Sequence, residues 1–148
     1  MTTPSAGSCA QSWFYFEGSC YGYFRNPVNF KSALKVCRTV KNGTADLVSI
    51  HSEAENAFVY NLWLAEELYL GQLLWIGYYQ HADSDPFTWI DGTPDNYTSW
   101  EPTQPDNNGG NEDCVAFWRQ SAADDVDKHW NDVFCGSVTA PFVCKKAP

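Results

Sequence analysis

The chain has 148 residues, of which 44% are hydrophobic and 16% aromatic, so it can build one domain with a substantial core and leaves little room for a second. Eighteen acidic residues against nine basic ones give a formal net charge of −9. Such a chain repels phosphate backbones and offers no basic stripe, so nucleic acid is not an expected partner. The surplus of carboxylates suits hard cations such as calcium, although most surface acids only keep a protein soluble.

The sequence contains no apolar run long enough to predict a membrane span. Residues 1–8 form an N-terminal tail that lacks the basic start and apolar centre of a signal peptide, which indicates a mature, soluble form. The six cysteines are even in number and none lies in a Cys-x-x-Cys pattern, which favours three disulfides and a secreted, extracellular protein. Sequons at Asn42 and Asn96 agree with secretion and are candidate glycosylation sites.

The first predicted element is an aromatic hairpin. Residues 11–16 lead into a turn at Glu17-Gly18, and a second aromatic run follows at residues 21–24. A disulfide between the neighbouring Cys9 and Cys20 would close this hairpin over a short loop at little entropic cost. The pattern alone leaves the pairing of the other cysteines open.

Two helices are predicted in the first half of the chain. Asn29 can cap a helix that runs to Lys41. The apolar residues of this helix recur at spacings near three and four. After a short strand-like run at residues 46–50, residues 52–55 read Ser-Glu-Ala-Glu, a capping box. The second helix is predicted to run to about Leu70-Gly71.

A buried strand and a long loop come next. Residues 73–77 are apolar at consecutive positions apart from a final glycine, a pattern typical of a strand buried on both faces at the centre of the core. Residues 79–111 show mostly turn chemistry, with only residues 87–90 resembling a strand. A loop of this length is uncommon unless it has a function or something orders it. Regular structure is predicted to resume at residues 114–118 and to end at residues 140–144.

The long loop is rich in side-chain oxygens of the kind that calcium accepts. Gln104 and Asp106 flank Pro105, where a cis peptide bond is least costly and would turn both side chains toward one point. A disulfide between Cys114 and Cys135 would hold two further oxygen-rich segments side by side. Those segments contribute Glu112, Asp113, Asn131 and Asp132. The combination predicts a calcium site.

A series of motifs, taken in order, resembles a C-type lectin-like domain from Cys9 to Cys144, and residues 9–148 are assigned to one such domain. The resemblance implies an α+β fold in which two helices pack on small antiparallel sheets with a long calcium-binding loop region. It also implies the disulfides Cys9–Cys20, Cys37–Cys144 and Cys114–Cys135. The motifs are Leu47-Val48-Ser49-Ile50-His51-Ser52, Trp75-Ile76-Gly77, Trp89-Ile90-Asp91-Gly92, Trp100, Gln104-Pro105-Asp106, Glu112-Asp113-Cys114, Trp130-Asn131-Asp132 and Phe142-Val143-Cys144.

The resemblance also implies the ligands of one calcium ion. In sugar-binding members, two neighbouring hydroxyls of one monosaccharide complete the calcium shell and hydrogen-bond to the same protein ligands. Binding of this kind needs only coordination and hydrogen bonds. Matched residue by residue, the calcium ligands are Gln104, Asp106, Glu112, Asn131 and Asp132, the last also through its backbone carbonyl, and the sugar contacts fall on the first four.

The Gln-Pro-Asp triplet implies a sugar preference. Members with Glu-Pro-Asn tend to take mannose-like sugars through equatorial 3- and 4-hydroxyls. Gln-Pro-Asp, as at residues 104–106, resembles members that prefer galactose or N-acetylgalactosamine, whose 4-hydroxyl is axial. The predicted partners are therefore glycans that end in one of these two sugars.

The sequence departs from the family pattern in two places. Asn108 occupies the position where galactose-binding relatives commonly carry a tryptophan that stacks on the sugar, and Trp118 is the candidate substitute if it shares the ligand side of its strand. Gln80 and Ser84 replace two acids of the auxiliary calcium site, so a single calcium ion is expected even though Asn107 and Asp113 remain.

Two rival functions are weighed against sugar binding. An enzyme is not predicted, because the three histidines are scattered, no hydrolase motif occurs and paired cysteines leave no thiol nucleophile. A calcium-independent domain of the same fold that binds a protein partner is the alternative. With all cysteines paired within the chain, any homo-oligomer is expected to be non-covalent.

Overall fold

A computed structural model describes residues 9–40, 43–66, 72–82, 85–105, 113–119 and 128–148. The predicted tail, residues 1–8, therefore lies outside the described residues. Ten elements occur in these ranges: β1 (Trp13–Phe16), β2 (Ser19–Val28), α1 (Phe30–Thr39), β3 (Asp46–Leu47), α2 (Glu53–Glu66), β4 (Leu73–Tyr79), β5 (Thr88–Trp89), β6 (Cys114–Trp118), β7 (Trp130–Val133) and β8 (Ala140–Lys146).

The predicted hairpin and first helix are confirmed. β1 pairs antiparallel with β2 across a turn in which Gly18 adopts a φ of 94°, a conformation that favours glycine. Asn29 caps α1 by accepting a hydrogen bond from the Ser32 amide at 2.9 Å. The helix ends at Thr39, before the predicted Lys41, because Val40 is extended with a ψ of 157°.

The second helix begins where predicted, but its capping acid has other partners. Ser52 Oγ accepts from the Glu55 amide at 3.0 Å, which is one half of a capping box. The Glu55 carboxylate accepts instead from the His51 amide, the Tyr21 hydroxyl and the Lys145 ammonium. Burial, together with the hydrogen bond to this carboxylate, raises the pKa of Tyr21 well above its usual range. The predicted end of α2 at Leu70-Gly71 lies outside the described residues.

The strands form one sheet in the order β1-β2-β8-β4-β6-β7, with β3 on β8 and β5 on β4. The α+β class and the antiparallel pairing are confirmed. The small sheets are nevertheless joined into one, because β8 lies between β2 and β4 and pairs parallel with β4 at Trp75 and Phe142. The strand-like run at residues 46–50 pairs as a strand only over Asp46–Leu47.

The helices cover opposite faces of the sheet. Leu74, Ile76 and Tyr78 of β4 belong to the core on the α2 side, whereas Trp75 packs with Phe30 on the α1 side. This alternation confirms that β4 is a central strand buried on both faces. Gly77 is needed at the end of this motif, because a Cβ there would lie 2.7 Å from the Leu47 carbonyl oxygen.

All three implied disulfides are present. Cys37–Cys144 joins α1 to β8, Cys9–Cys20 closes the hairpin, and Cys114–Cys135 joins the start of β6 to the residues after β7. All six cysteines are paired within the chain. Across the described ranges, no helix combines the length and apolar character that crossing a bilayer requires.

Candidate functional site

The long loop is attached to the edge of the sheet beside β7. Trp100 pairs in parallel with Trp130, the Trp130 amide donates to the Ser99 carbonyl at 2.7 Å, and the Glu101 amide donates to the Trp130 carbonyl at 2.9 Å. These bonds extend the sheet by a short irregular strand. They place the start of the predicted ligand segment alongside Asn131 and Asp132.

A tight turn then leads to the proline triplet. The Gln104 amide donates to the Glu101 carbonyl at 2.9 Å, and the Gln104–Pro105 peptide bond is cis, as predicted. The Gln104 side chain is half-buried. The structure therefore brings the first ligand of the predicted set to the end of the segment that pairs with β7.

The two predicted ligands on β7 differ in their surroundings. Asn131 lies opposite Ala116 of β6, and Asp132 lies opposite Val115, so their side chains leave opposite faces of the strand. Asp132 is fully buried. The Asn131 Oδ1 atom is buried and has no hydrogen-bond partner within the described ranges. A buried amide oxygen without a hydrogen-bond partner destabilises the folded protein. Amide oxygens are also among the ligands that calcium accepts.

Two of the predicted acids cannot be placed. Asp106 and Glu112 lie outside the described residues, as do Asn107 and the departure position Asn108. Asp113 is described, and its carbonyl accepts from the Gln80 amide at 2.9 Å. In the part of the chain that is described, no three His, Cys, Asp or Glu side chains form a metal-binding group. The five-ligand set therefore stays a prediction.

Trp118 lies at the end of β6, the strand that pairs with β7. It follows Ala116 by two residues on β6, so it projects from the same face as Ala116 and as Asn131 opposite. Its side chain is half-buried. Whether it contacts a sugar stays a prediction.

Aromatic rings support the site from the α2 side. The Trp130 ring lies 5.5 Å from that of Trp89 and 6.0 Å from that of Trp100, both edge-on. Tyr97 packs on Trp130 as well, and its hydroxyl donates to Glu53 at 2.6 Å. Burial and this hydrogen bond raise the pKa of Tyr97 to about 12. Trp89, Trp100 and Trp130 of the sequence motifs therefore form one packed cluster, whereas Trp75 lies on the α1 side.

Sequence reasoning missed a buried amide at the base of this cluster. Asn56 of α2 is fully buried, accepts from Trp130 Nε1 at 2.9 Å and donates to the Lys128 carbonyl at 2.7 Å. The sequence does contain an indication of this residue, since Asn56 lies at helical spacing from the apolar Val59, Tyr60 and Trp63. A polar residue in such a stripe indicates a specific buried partner.

Comparison with known proteins agrees with this architecture. A family model described as "Lectin C-type domain" matches residues 26–146. The alpha-N-acetylgalactosamine-specific lectin of Patiria pectinifera is 34% identical over 134 residues, covering 90% of this chain and 77% of that protein.

Solved structures of C-type lectins share this fold. The C-type lectin CEL-I from Cucumaria echinata superposes with a TM-score of 0.83 at 31% identity, over 93% of this chain and 96% of that chain. The Ca2+-independent C-type lectin SPL-2 from Saxidomus purpuratus gives 0.77 at 25% identity, over 95% of each chain. From the family match and the shared fold, the chain belongs to the C-type lectin family.

Proposed function

We propose that this protein binds glycans ending in galactose or N-acetylgalactosamine through a bound calcium ion. The observation that carries the proposal is the buried Asn131 Oδ1 without a partner among the described residues, beside the loop that delivers Gln104. The similarity to a lectin specific for alpha-N-acetylgalactosamine supports this choice of sugar. The protein acts by binding, without catalysis.

The calcium ligands in this proposal are the side chains of Gln104, Asp106, Glu112, Asn131 and Asp132, with the Asp132 carbonyl as a further oxygen. Calcium would supply coordination sites for the 3- and 4-hydroxyls of the sugar. The amides of Gln104 and Asn131 would donate to those hydroxyls, and the carboxylates of Asp106 and Glu112 would accept from them.

One calcium ion is proposed rather than two. Gln80 stands at an auxiliary ligand position of the family pattern, and its side-chain amide donates to the Asp85 carbonyl at 2.8 Å. It is also almost completely buried. A side chain engaged in this way is a poor substitute for a carboxylate that faces a cation.

We expect galactose-conjugated resin to retain the protein in calcium and to release it on chelation, because the sugar hydroxyls bind through the ion. Free galactose or N-acetylgalactosamine should elute it at lower concentration than mannose. Retention that survives chelation would contradict the calcium-bridged mechanism. Elution by mannose as effective as by galactose would contradict the assigned sugar class while leaving the calcium requirement intact.

Trp118 is proposed to stack on the apolar face of the sugar in place of the residue at position 108. Trp118→Ala should weaken galactose binding by a few-fold to about 10-fold, the scale of one aromatic contact, and should leave calcium affinity unchanged. Calorimetric titrations with galactose and with calcium measure the two effects separately. Phe14→Ala is the control, since Phe14 is an exposed aromatic residue on β1. Unchanged galactose affinity in Trp118→Ala would exclude the contact.

A second candidate function is binding of a protein partner without calcium. The similarity to SPL-2, which is described as a Ca2+-independent C-type lectin, supports the absence of a calcium requirement but not the protein partner. The galactose-resin experiment separates the two candidates, because a domain of this second kind would not be retained on galactose in the presence of calcium. The buried Asn131 Oδ1 favours the calcium-dependent function.

We further propose that the protein is secreted and extracellular, which its three disulfides support. Asn96 is exposed, with its Oδ1 3.2 Å from His51 Nδ1, and it can accept a glycan; Asn42 lies outside the described residues. Single monosaccharide sites bind weakly, so a non-covalent homo-oligomer is proposed to supply avidity.

A further inference from the structure

A buried amide links helix α2 to both chain segments that meet at the proposed calcium site. The Asn56 side chain is 0% exposed. Its Oδ1 accepts from Trp130 Nε1 at 2.9 Å, and its Nδ2 donates to the Lys128 carbonyl at 2.7 Å. Both partners lie within three residues of Asn131, which is 75 positions further along the chain than Asn56.

The same carbonyl connects Asn56 to the long loop. Ser99 Oγ donates to the Lys128 carbonyl at 2.9 Å and lies 3.5 Å from Asn56 Nδ2. The Ser99 carbonyl in turn accepts from the Trp130 amide at 2.7 Å. Asn56, Ser99, Lys128 and Trp130 therefore form one hydrogen-bonded group, which we call the Asn56 cluster.

Helix α2, which carries Asn56, is itself firmly packed in the core. The neighbouring Glu55 is fixed by three donors, among them Lys145 and Tyr21, and Val59 and Trp63 of the same helix are fully buried. A buried amide with both ends bonded fixes its partners in one arrangement, since any shift would leave a polar atom unpaired. The helix can therefore set the spacing between the loop and β7.

We propose that Asn56 is a positioning residue for the sugar-binding site. It fixes the segment ending in Gln104 relative to the strand that carries Asn131 and Asp132, without contacting calcium or sugar. The role at a calcium site rests on the proposed function, whereas the mechanical role, holding two segments in register, stands on the hydrogen bonds themselves.

The test compares Asn56→Leu, which keeps the side-chain volume and removes both hydrogen bonds, with the wild type. In calcium-free buffer, the amides of Trp130 and Glu101 should exchange with solvent roughly 10-fold faster or more, while those of Val48 and Gly77 should not change. Calcium affinity should fall roughly 10- to 100-fold, as for other groups that orient metal ligands. Amide exchange followed by NMR and calcium titration give the two readouts.

Two further variants keep the test decisive. Val59→Ala, one helical turn along α2, is the control for lost packing: it removes buried apolar volume but no hydrogen bond, so it should change both readouts by less than Asn56→Leu. Ser99→Ala removes one donor to the Lys128 carbonyl without touching the helix core, so it should shift both readouts in the same direction by less. It serves as the test variant if Asn56→Leu does not fold.

The outcomes separate the inference from the proposed function. Exchange at Trp130 and Glu101 that matches the wild type, or that rises no more than in Val59→Ala, would overturn the positioning role. A wild type that binds no calcium at all would refute the proposed function and the role at a calcium site, and the exchange comparison would still decide whether Asn56 holds the two segments.

Discussion

Replacing Asp132 by asparagine is expected to abolish calcium-dependent sugar binding while the domain remains folded. The substitution keeps the shape of a fully buried side chain and removes the negative charge that the Asp132 carboxylate would bring to the ion. Calcium affinity should fall by more than the roughly 10- to 100-fold that residues behind the ligands contribute, because a direct ligand is changed. Calcium titration and retention on galactose resin measure the effect.

The control for this prediction is Glu17→Gln. Glu17 is exposed in the turn between β1 and β2, at the opposite edge of the sheet from β7, so the substitution removes the same charge away from the proposed ligands. It should change calcium affinity by less than about 2-fold, since the field of a distant surface charge is screened. Equal calcium affinity in Asp132→Asn and the wild type would remove Asp132 from the ligand set.

Truncation of Glu55 is expected to cause the largest loss of stability of any single change proposed for this domain. The carboxylate lies 2.5 Å from Lys145 Nζ, and the two side chains are only 9% and 16% exposed. Glu55→Ala leaves the ammonium of Lys145, the hydroxyl of Tyr21 and the amide of His51 without this acceptor. The free energy of unfolding should fall by about 3–5 kcal/mol, as when one partner of a buried ion pair is removed.

A second ion pair provides a matched control. Arg38 and Asp46 approach to 2.6 Å, but their side chains are 47% and 26% exposed. Asp46→Ala should therefore cost less than about 1 kcal/mol. Urea denaturation of both variants with the disulfides intact and without calcium makes the comparison. Similar losses in the two variants would show that burial does not distinguish these pairs.

Much of the local structure could be predicted from the sequence. The aromatic hairpin, the Asn29 cap and the buried strand β4 each depend on residues within a few positions of one another, so periodicity and turn chemistry indicate them directly. The cis peptide before Pro105 was also expected, from the flanking Gln104 and Asp106. The disulfide pairing came from the family resemblance, because cysteine count alone leaves several pairings open.

Other features could not be predicted because they depend on residues far apart in the sequence. The capping box at Ser52 indicated the start of α2, but it did not indicate that Glu55 would bind Lys145, 90 residues later. Small antiparallel sheets were expected, and the antiparallel pairing is present, but the strands join into one sheet because the last strand enters between β2 and β4. Neither feature leaves a pattern in nearby residues.

The sequence by itself determined the class of fold, the chemistry of the candidate ligands and the positions where they occur, because residue type and short spacing set hydrogen bonding and coordination. Only the tertiary structure decided which distant groups meet: Trp118 on the face of Asn131, and Asn56 beneath Trp130 at a separation of 74 residues. Contacts of that range arise from packing of the whole core, in which each strand fixes the position of the next.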